Sequence, residues 1–274
     1  MANKNFVTSL QRGLSLLEMF TPERPTLKLQ ELTVRVGLPR TTVFRLLRTL
    51  ISLNYVRFDP ITREYFLGPK VMSLGYATLA SLDLTGIARP YLEELSRLTG
   101  QNVNLGILDG TEVVYIERIT KKQLISTDHT VGSRVSVHAT AIGRAILAYM
   151  DQEECEEILN ELFADPKAVS HLGKRREEFL ELLEEARRNG YSFVDEEFIV
   201  GIRAIGAPIF SSKGTVEAAI NMPVFIGGVS LEKLVERYAP MLVNTADKIS
   251  ASRGFTGHFL KGSESLERNK SHQI

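Results

Sequence analysis

The sequence predicts an α+β protein in two parts: a small three-helix unit closed by a β-hairpin, then a larger antiparallel sheet with helices packed against it. Three observations carry this. Residues 27–67 hold two amphipathic stretches separated by Gly37-Leu38-Pro39 and followed by two short β-rich runs. From Ile87 onward, β-rich runs and helical periodicity are mixed, and two strands meet at Asp109-Gly110, a strong hairpin signal. Charge divides along the same line. Of 33 basic and 33 acidic residues, the first 80 positions take 11 and 5, a net of +6; the rest hold 22 and 28, a net of −6. A basic head on an acidic body points to a polyanion partner for the head.

The head reads in order as follows. Residues 7–20 form a first helix with Val7, Leu10, Leu14 and Leu17 toward the core, ended by Thr21-Pro22-Glu23-Arg24-Pro25. Leu29, Leu32 and Val36 share one face of the next helix. Gly37 stops that helix and Pro39 starts another. In the latter, Val43, Leu46, Leu47 and Leu50 make a buried stripe. Its opposite face carries Arg40, Thr41, Thr42, Arg45, Arg48 and Thr49, with no acid among them. Such groups donate hydrogen bonds to phosphates and base edges. Val56–Phe58 and Tyr65–Leu67 flank the turn-rich residues 59–63, a wing that brings Arg57 and Arg63 to a DNA backbone. The unit reads as a winged helix-turn-helix. Its candidate DNA contacts are Arg40, Thr41, Thr42, Phe44, Arg45 and Arg48 on the helix, with Arg57 and Arg63 at the wing. The alternative is an amphipathic helix pair with merely solvated charges, because short helix-turn-helix patterns recur widely.

Gly68–Thr85 reads as a linker helix whose apolar residues surround more than one face. It is either buried between the chain's own domains or shared with a second subunit. The second is favoured, since a groove-reading module usually binds two half-sites as a dimer. The body then runs through a helix at Ala88–Leu98, capped by Gly100, and strands at Asn102–Leu108, Glu112–Ile119 and Gln123–Thr127. A loop with Gly132 and Arg134 leads to the small-residue run Ala139–Gly143, which opens a helix reaching Met150. Helices at Asp151–Phe163 and Arg175–Asn189 and strands at Tyr191–Asp195, Gly201–Phe210 and Thr215–Met222 precede a last helix, Ser230–Ser252. The expected divisions are a DNA-binding domain at 1–67, a linker helix at 68–86, a second, α+β domain at 87–254, to which the family resemblance given below assigns effector binding and oligomerisation, and a polar, disordered tail at 255–274.

Composition narrows the chemistry. The one cysteine, Cys155, permits no disulfide within the chain and reads as a surface thiol on an acidic helix. No apolar run approaches membrane-spanning length and no signal-peptide core leads the chain, so a cytoplasmic protein is expected. The five histidines, 129, 138, 171, 258 and 272, form no metal-ligand spacing, and there is no nucleophile elbow or phosphate loop. No cofactor is expected. His138 reads as a structural residue ahead of its helix. Asp195-Glu196-Glu197 reads as a solvated turn, or as partners for Arg203 or another base. The small-residue run at 139–143 exposes backbone N–H groups at a positive helix end, which suits an anion, although Thr140 serves equally as a plain N-cap.

Ser9–Leu14, Gly37–Leu47, Tyr65–Gly68, His138–Ala145 and the segment from Gly190-Tyr191 to Pro208 together resemble the IclR-type transcription regulators, over about Ser9 to Gly254. The resemblance implies a winged head, a linker helix and a GAF/PAS-like effector domain. It also implies dimers or tetramers on double-stranded operator DNA, and an effector acid held by the backbone at Ala141 and Ile142. Carried over by position, the pocket adds Leu124, Thr127, Val135, Val194, Ile202, Ala204, Asn221 and Pro223. Where the family usually has an acid or serine this chain has Val194, and Ala204 replaces a common Cys or Ser. Asn221 and Pro223 stand at positions where hydroxyls are common. These departures favour an acid with an apolar or aromatic body over a small keto-acid, whose oxygens would lack partners. The expected function is a ligand-responsive regulator of a catabolic operon; the alternative is a metabolite-binding enzyme with an accessory DNA-binding domain.

Overall fold

The computed structural model describes residues 6–81, 83–121, 129–173 and 175–257. The described residues fall into two compact units, divided between positions 82 and 83.

The head contains α1 (Thr8–Leu17), β1 (Thr26–Lys28), α2 (Leu29–Val36), α3 (Arg40–Ser52), β2 (Val56–Asp59), β3 (Glu64–Leu67) and α4 (Lys70–Ser81). Its sheet is antiparallel in the order β1-β3-β2. Strand β1 was not expected: three residues show no period, and only pairing with β3 reveals it. Gly37 ends α2 in the left-handed conformation, φ 63°, and Pro39 caps α3. Leu16, Phe20, Leu27, Leu32, Val43, Leu47, Val56 and Tyr65 form the core.

Two expectations for the head are corrected. The first helix stops at Leu17, and its buried residue is Leu16, with Phe20 following just outside the helix. Val7, Leu10 and Leu14 are exposed, Leu10 to 61%, and only Leu17 of the expected face is partly buried. The stripe exists, but its period says nothing about which side the chain itself covers. The continuous helix expected over 68–85 is broken. α4 ends at Ser81, and α5 (Leu84–Thr99) starts after Asp83, held at φ 48°.

The body continues with β4 (Val103–Asp109), β5 (Glu112–Ile119), β6 (Arg134–Ser136), α6 (Ala141–Tyr149), α7 (Gln152–Ala164), α8 (Pro166–Leu172), α9 (Arg176–Asn189), β7 (Ser192–Asp195), β8 (Ile202–Phe210), β9 (Val216–Phe225) and α10 (Ala239–Ser252). The sheet runs β6-β5-β4-β9-β8-β7 with every neighbouring pair antiparallel. Arg134 opens a strand rather than a loop, and α8 lies where no helix was expected. The last helix begins with a π-helical turn at Lys233–Tyr238 ahead of Pro240, whose missing N–H interrupts the regular ladder. The strand expected at Gln123–Thr127 and most of the tail, 258–274, lie outside the described residues.

Helix α6 packs on one face of the sheet, while α5 and α10 pack together on the other. Every residue from Ala141 to Ala148 is buried. α7 and α9 cover α6 through Leu159, Leu162, Phe179 and Leu183. Cys155 belongs to this core and not to the surface: it faces α6, its Sγ 3.6 Å from the Leu147 carbonyl, and burial pushes its thiol pKa up. The acidic residues beside it in sequence point away from that contact, which is why the surface reading fails.

Glycines set how close α6 comes. A Cβ at Gly206 on β8 would run into the Ala141 carbonyl, and one at Gly143 into the backbone of Val137. Gly206→Ala is expected to destabilise the body by about 1–3 kcal/mol through overpacking. Urea unfolding followed by circular dichroism measures this, and an unchanged midpoint would show that the contact is not tight.

Candidate functional site

The head presents one basic surface. Arg40, Thr41, Arg45 and Arg48 on α3 are exposed, Phe44 is 46% exposed and Thr42 is half-buried. In the wing, the Asp59 carboxylate accepts the N–H groups of Ile61 and Thr62, at 2.8 and 3.4 Å. Arg63 sits at φ 58° and is exposed, as is Arg57 on β2. The Tyr65 phenol, raised by burial, feels the opposing field of Arg48 and Arg40, so these two arginines of α3 lie near strand β3. Among the described residues, no carboxylate pairs with Arg40, Arg45, Arg48, Arg57 or Arg63. Their guanidinium groups are left to an outside anion.

The body holds a recess at the start of α6, enclosing about 440 Å³ with its mouth included. Strand register explains its floor. Ser192, Gly206, Asn221, Asn104 and Arg118 lie in one row across five strands, with Val194, Ala204 and Pro223 in the next. Both rows face α6, because Gly206 meets Ala141 and residues two apart share a face. Thr140 is the N-cap: its hydroxyl accepts the Gly143 N–H at 3.3 Å and donates to the Ser136 carbonyl at 2.7 Å. The N–H groups of Ala141 and Ile142, first in the helix, have no acceptor within it. Ser192 Oγ holds the Ala141 carbonyl at 2.5 Å.

Six of the expected pocket residues line this recess: Ala141, Val194, Ile202, Ala204, Asn221 and Pro223. Two do not put a side chain there. Val135 and Ile142 are packed in the core around α6 and are not among the residues that line the recess. Leu124 and Thr127 lie outside the described residues. The residues that sequence reasoning missed make the recess more polar and more aromatic than expected. Tyr115, His129 and Phe198 form a wall, His129 lying 6.0 Å from each of the other two rings. Arg118 Nε donates to Asn104 Oδ1 at 2.8 Å, and Asn104 Nδ2 donates to Asn221 Oδ1 at 2.9 Å. Burial raises the Tyr115 phenol, against the pull of Arg118, and lowers Arg118 itself. A polar Asn104 in an otherwise apolar strand was the legible signal. Its partner became clear only when β4 met β9.

The acidic triplet resolves into three separate bonds. Asp195 pairs with Arg203 at 2.6 Å, as one reading had it. Glu196, at φ 57°, accepts the Gly201 N–H at 2.8 Å. Glu197 takes Arg144 in a two-pronged pair, at 3.0 and 2.6 Å.

Comparison with known proteins agrees with this architecture. Residues 9–60 match the IclR helix-turn-helix domain, and residues 76–251 match the family described as bacterial transcriptional regulator IclR C-terminal. The chain is 36% identical to the Pca regulon regulatory protein of Pseudomonas putida over 241 residues, covering 87% of this chain and 81% of that one. It is 33% identical to the transcriptional regulator KdgR of Escherichia coli over 249 residues, covering 91% and 94%. A crystal structure of an IclR family transcriptional regulator from Brucella abortus superposes with a TM-score of 0.78 at 28% identity, covering 92% and 94%. With both family descriptions matched in order over most of its length, the chain belongs to the IclR family of DNA-binding transcriptional regulators.

Proposed function

We propose that the protein controls a catabolic operon from the cytoplasm, as a homodimer or homotetramer, and that a small organic acid held at the start of α6 sets its affinity for operator DNA. The observation that carries this is the recess at Ala141: the positive end of a buried helix, at Thr140 and Ala141, lines an aromatic-walled space. The acid's carboxylate takes the N–H groups of Ala141 and Ile142. An apolar or aromatic body lies along Tyr115, Phe198, Ile199 and Val194. Asn104, Tyr115 and His129 offer partners to a polar substituent at the far end, so a ring bearing a hydroxyl suits the space better than a bare one. The name of the Pseudomonas relative, a regulon regulatory protein, supports control of a gene set. The acid acts by binding one arrangement of the protein better than another.

On the DNA side, α3 enters the major groove and the wing tracks the backbone. Arg40, Arg45, Arg48, Arg57 and Arg63 neutralise phosphates, and an arginine from α3 reads guanine edges. Arg45→Ala is expected to weaken binding to an operator fragment about tenfold or more and to lower the slope of affinity against salt by about 1 if its contact is to phosphate. Fluorescence anisotropy across a salt series reads both, and unchanged affinity removes α3 from the groove.

For the acid, isothermal titration with benzoate and 4-hydroxybenzoate is expected to show binding. Pyruvate and glyoxylate are expected to bind far more weakly, and tight binding of either overturns the apolar-body reading. Ala141→Pro tests the cradle directly. Proline is accepted at the first helical position, and Thr140 before it is already extended at φ −119°, ψ 145°. The ring replaces one N–H, so acid affinity is expected to fall about tenfold or more with little change in melting temperature.

A further inference from the structure

Arg144 is the largest fully buried side chain among the described residues, 1% exposed, and it lies one turn inside α6. Its donors reach two segments that border the recess, the turn before α6 and the loop after β7. Nε donates to the His138 carbonyl at 2.8 Å, in the turn that delivers Thr140 and the first N–H groups of α6. The two terminal nitrogens donate to Glu197 Oε1 and Oε2 at 3.0 and 2.6 Å, and one of them lies 3.5 Å from the Phe193 carbonyl. Glu197 belongs to the loop at 196–201, whose next two residues, Phe198 and Ile199, line the recess. That loop is pinned at its ends by Glu196, which accepts the Gly201 N–H, and by the Ile202 carbonyl, which accepts the Glu196 N–H. Between them, Val200 is 88% exposed. Burying a guanidinium against one carboxylate is a poor way to stabilise a fold, since apolar side chains of the same volume often do as well or better. The pair makes sense as a spacer.

We propose that Arg144 is a positioning residue. It bolts the 196–201 loop to the turn that opens α6, and so fixes the distance between the aromatic wall and the anion cradle. It touches no ligand itself. A fork of five donors can hold the turn and the loop at once, which a lysine ammonium cannot. The inference rests on the reading of this recess as the acid site, but its core, the anchoring of the loop, can be tested without any ligand.

The natural sequence has no tryptophan. Phe198→Trp therefore places a single fluorophore on the loop, and acrylamide quenching reports how tightly the loop is held. In that background Glu197→Gln, which keeps the shape and one acceptor, is expected to raise quenching severalfold, and Glu197→Ala more. Arg144→Lys should act like Glu197→Gln. The exposed Glu157→Gln is the control that should not. With Phe198 restored, Glu197→Gln is expected to weaken 4-hydroxybenzoate binding about tenfold. Its circular dichroism and its operator binding without acid should match the parent. Unchanged quenching in Glu197→Gln and Glu197→Ala overturns the proposal, whether or not Arg144→Lys folds. Raised quenching with undiminished 4-hydroxybenzoate binding overturns it as well. Raised quenching in a protein whose parent binds no acid upholds the bolt and sinks the acid site instead.

Discussion

The body is built around one close approach, that of the first turn of α6 to strand β8. Gly206 leaves no side chain between them, so the Ala141 carbonyl reaches the sheet and is held there by Ser192. Gly143 does the same against Val137 on the other side of the turn. With both seats lacking a Cβ, the helix start is clamped, and its unsatisfied N–H groups are aimed by backbone packing rather than by flexible side chains. A preorganised dipole of this kind gains more from an anion than one that must first be ordered. The register of the sheet supplies the rest of the recess: the amides of Asn104 and Asn221 fall in the same row as Gly206 because three adjacent strands pair there.

The head obeys a different constraint. It is small, and its core of eight residues leaves little room for polar compromise. The third strand, β1, earns its place by giving β3 a second neighbour, so the wing is part of a sheet and not a lone hairpin. With the apolar face of α3 committed to that core, its arginines are pushed outward by default. Surface position and lack of acidic partners then coincide without any special device.

Much of this was legible in the sequence where a local rule sufficed. Gly37 and Pro39 marked the turn of the head, Asp109-Gly110 marked the β4–β5 hairpin, and Thr140 followed by small residues marked the start of α6. Reading failed where the answer depended on what lies opposite. The apolar stripe of α1 was visible, but not that Leu16 rather than Leu10 would face the core. Cys155 sits among glutamates in sequence and between α7 and α6 in space. Arg144 drew no reading of its own inside the run Ile142–Ala148, and Glu197 is brought to it only by the path of the chain after β7. Tyr115, His129 and Phe198 come from three separate segments, and no spacing in the chain unites them.

The place of Cys155 also bears on the chain's redox behaviour. Its sulfur lies beneath helix α7 with the Leu147 carbonyl as its neighbour, and burial disfavours the thiolate. Cys155, the one cysteine of the sequence, therefore offers no exposed thiol for a disulfide between two copies of this chain. An oxidising environment has to pry the domain open before it finds a thiol to oxidise at this position.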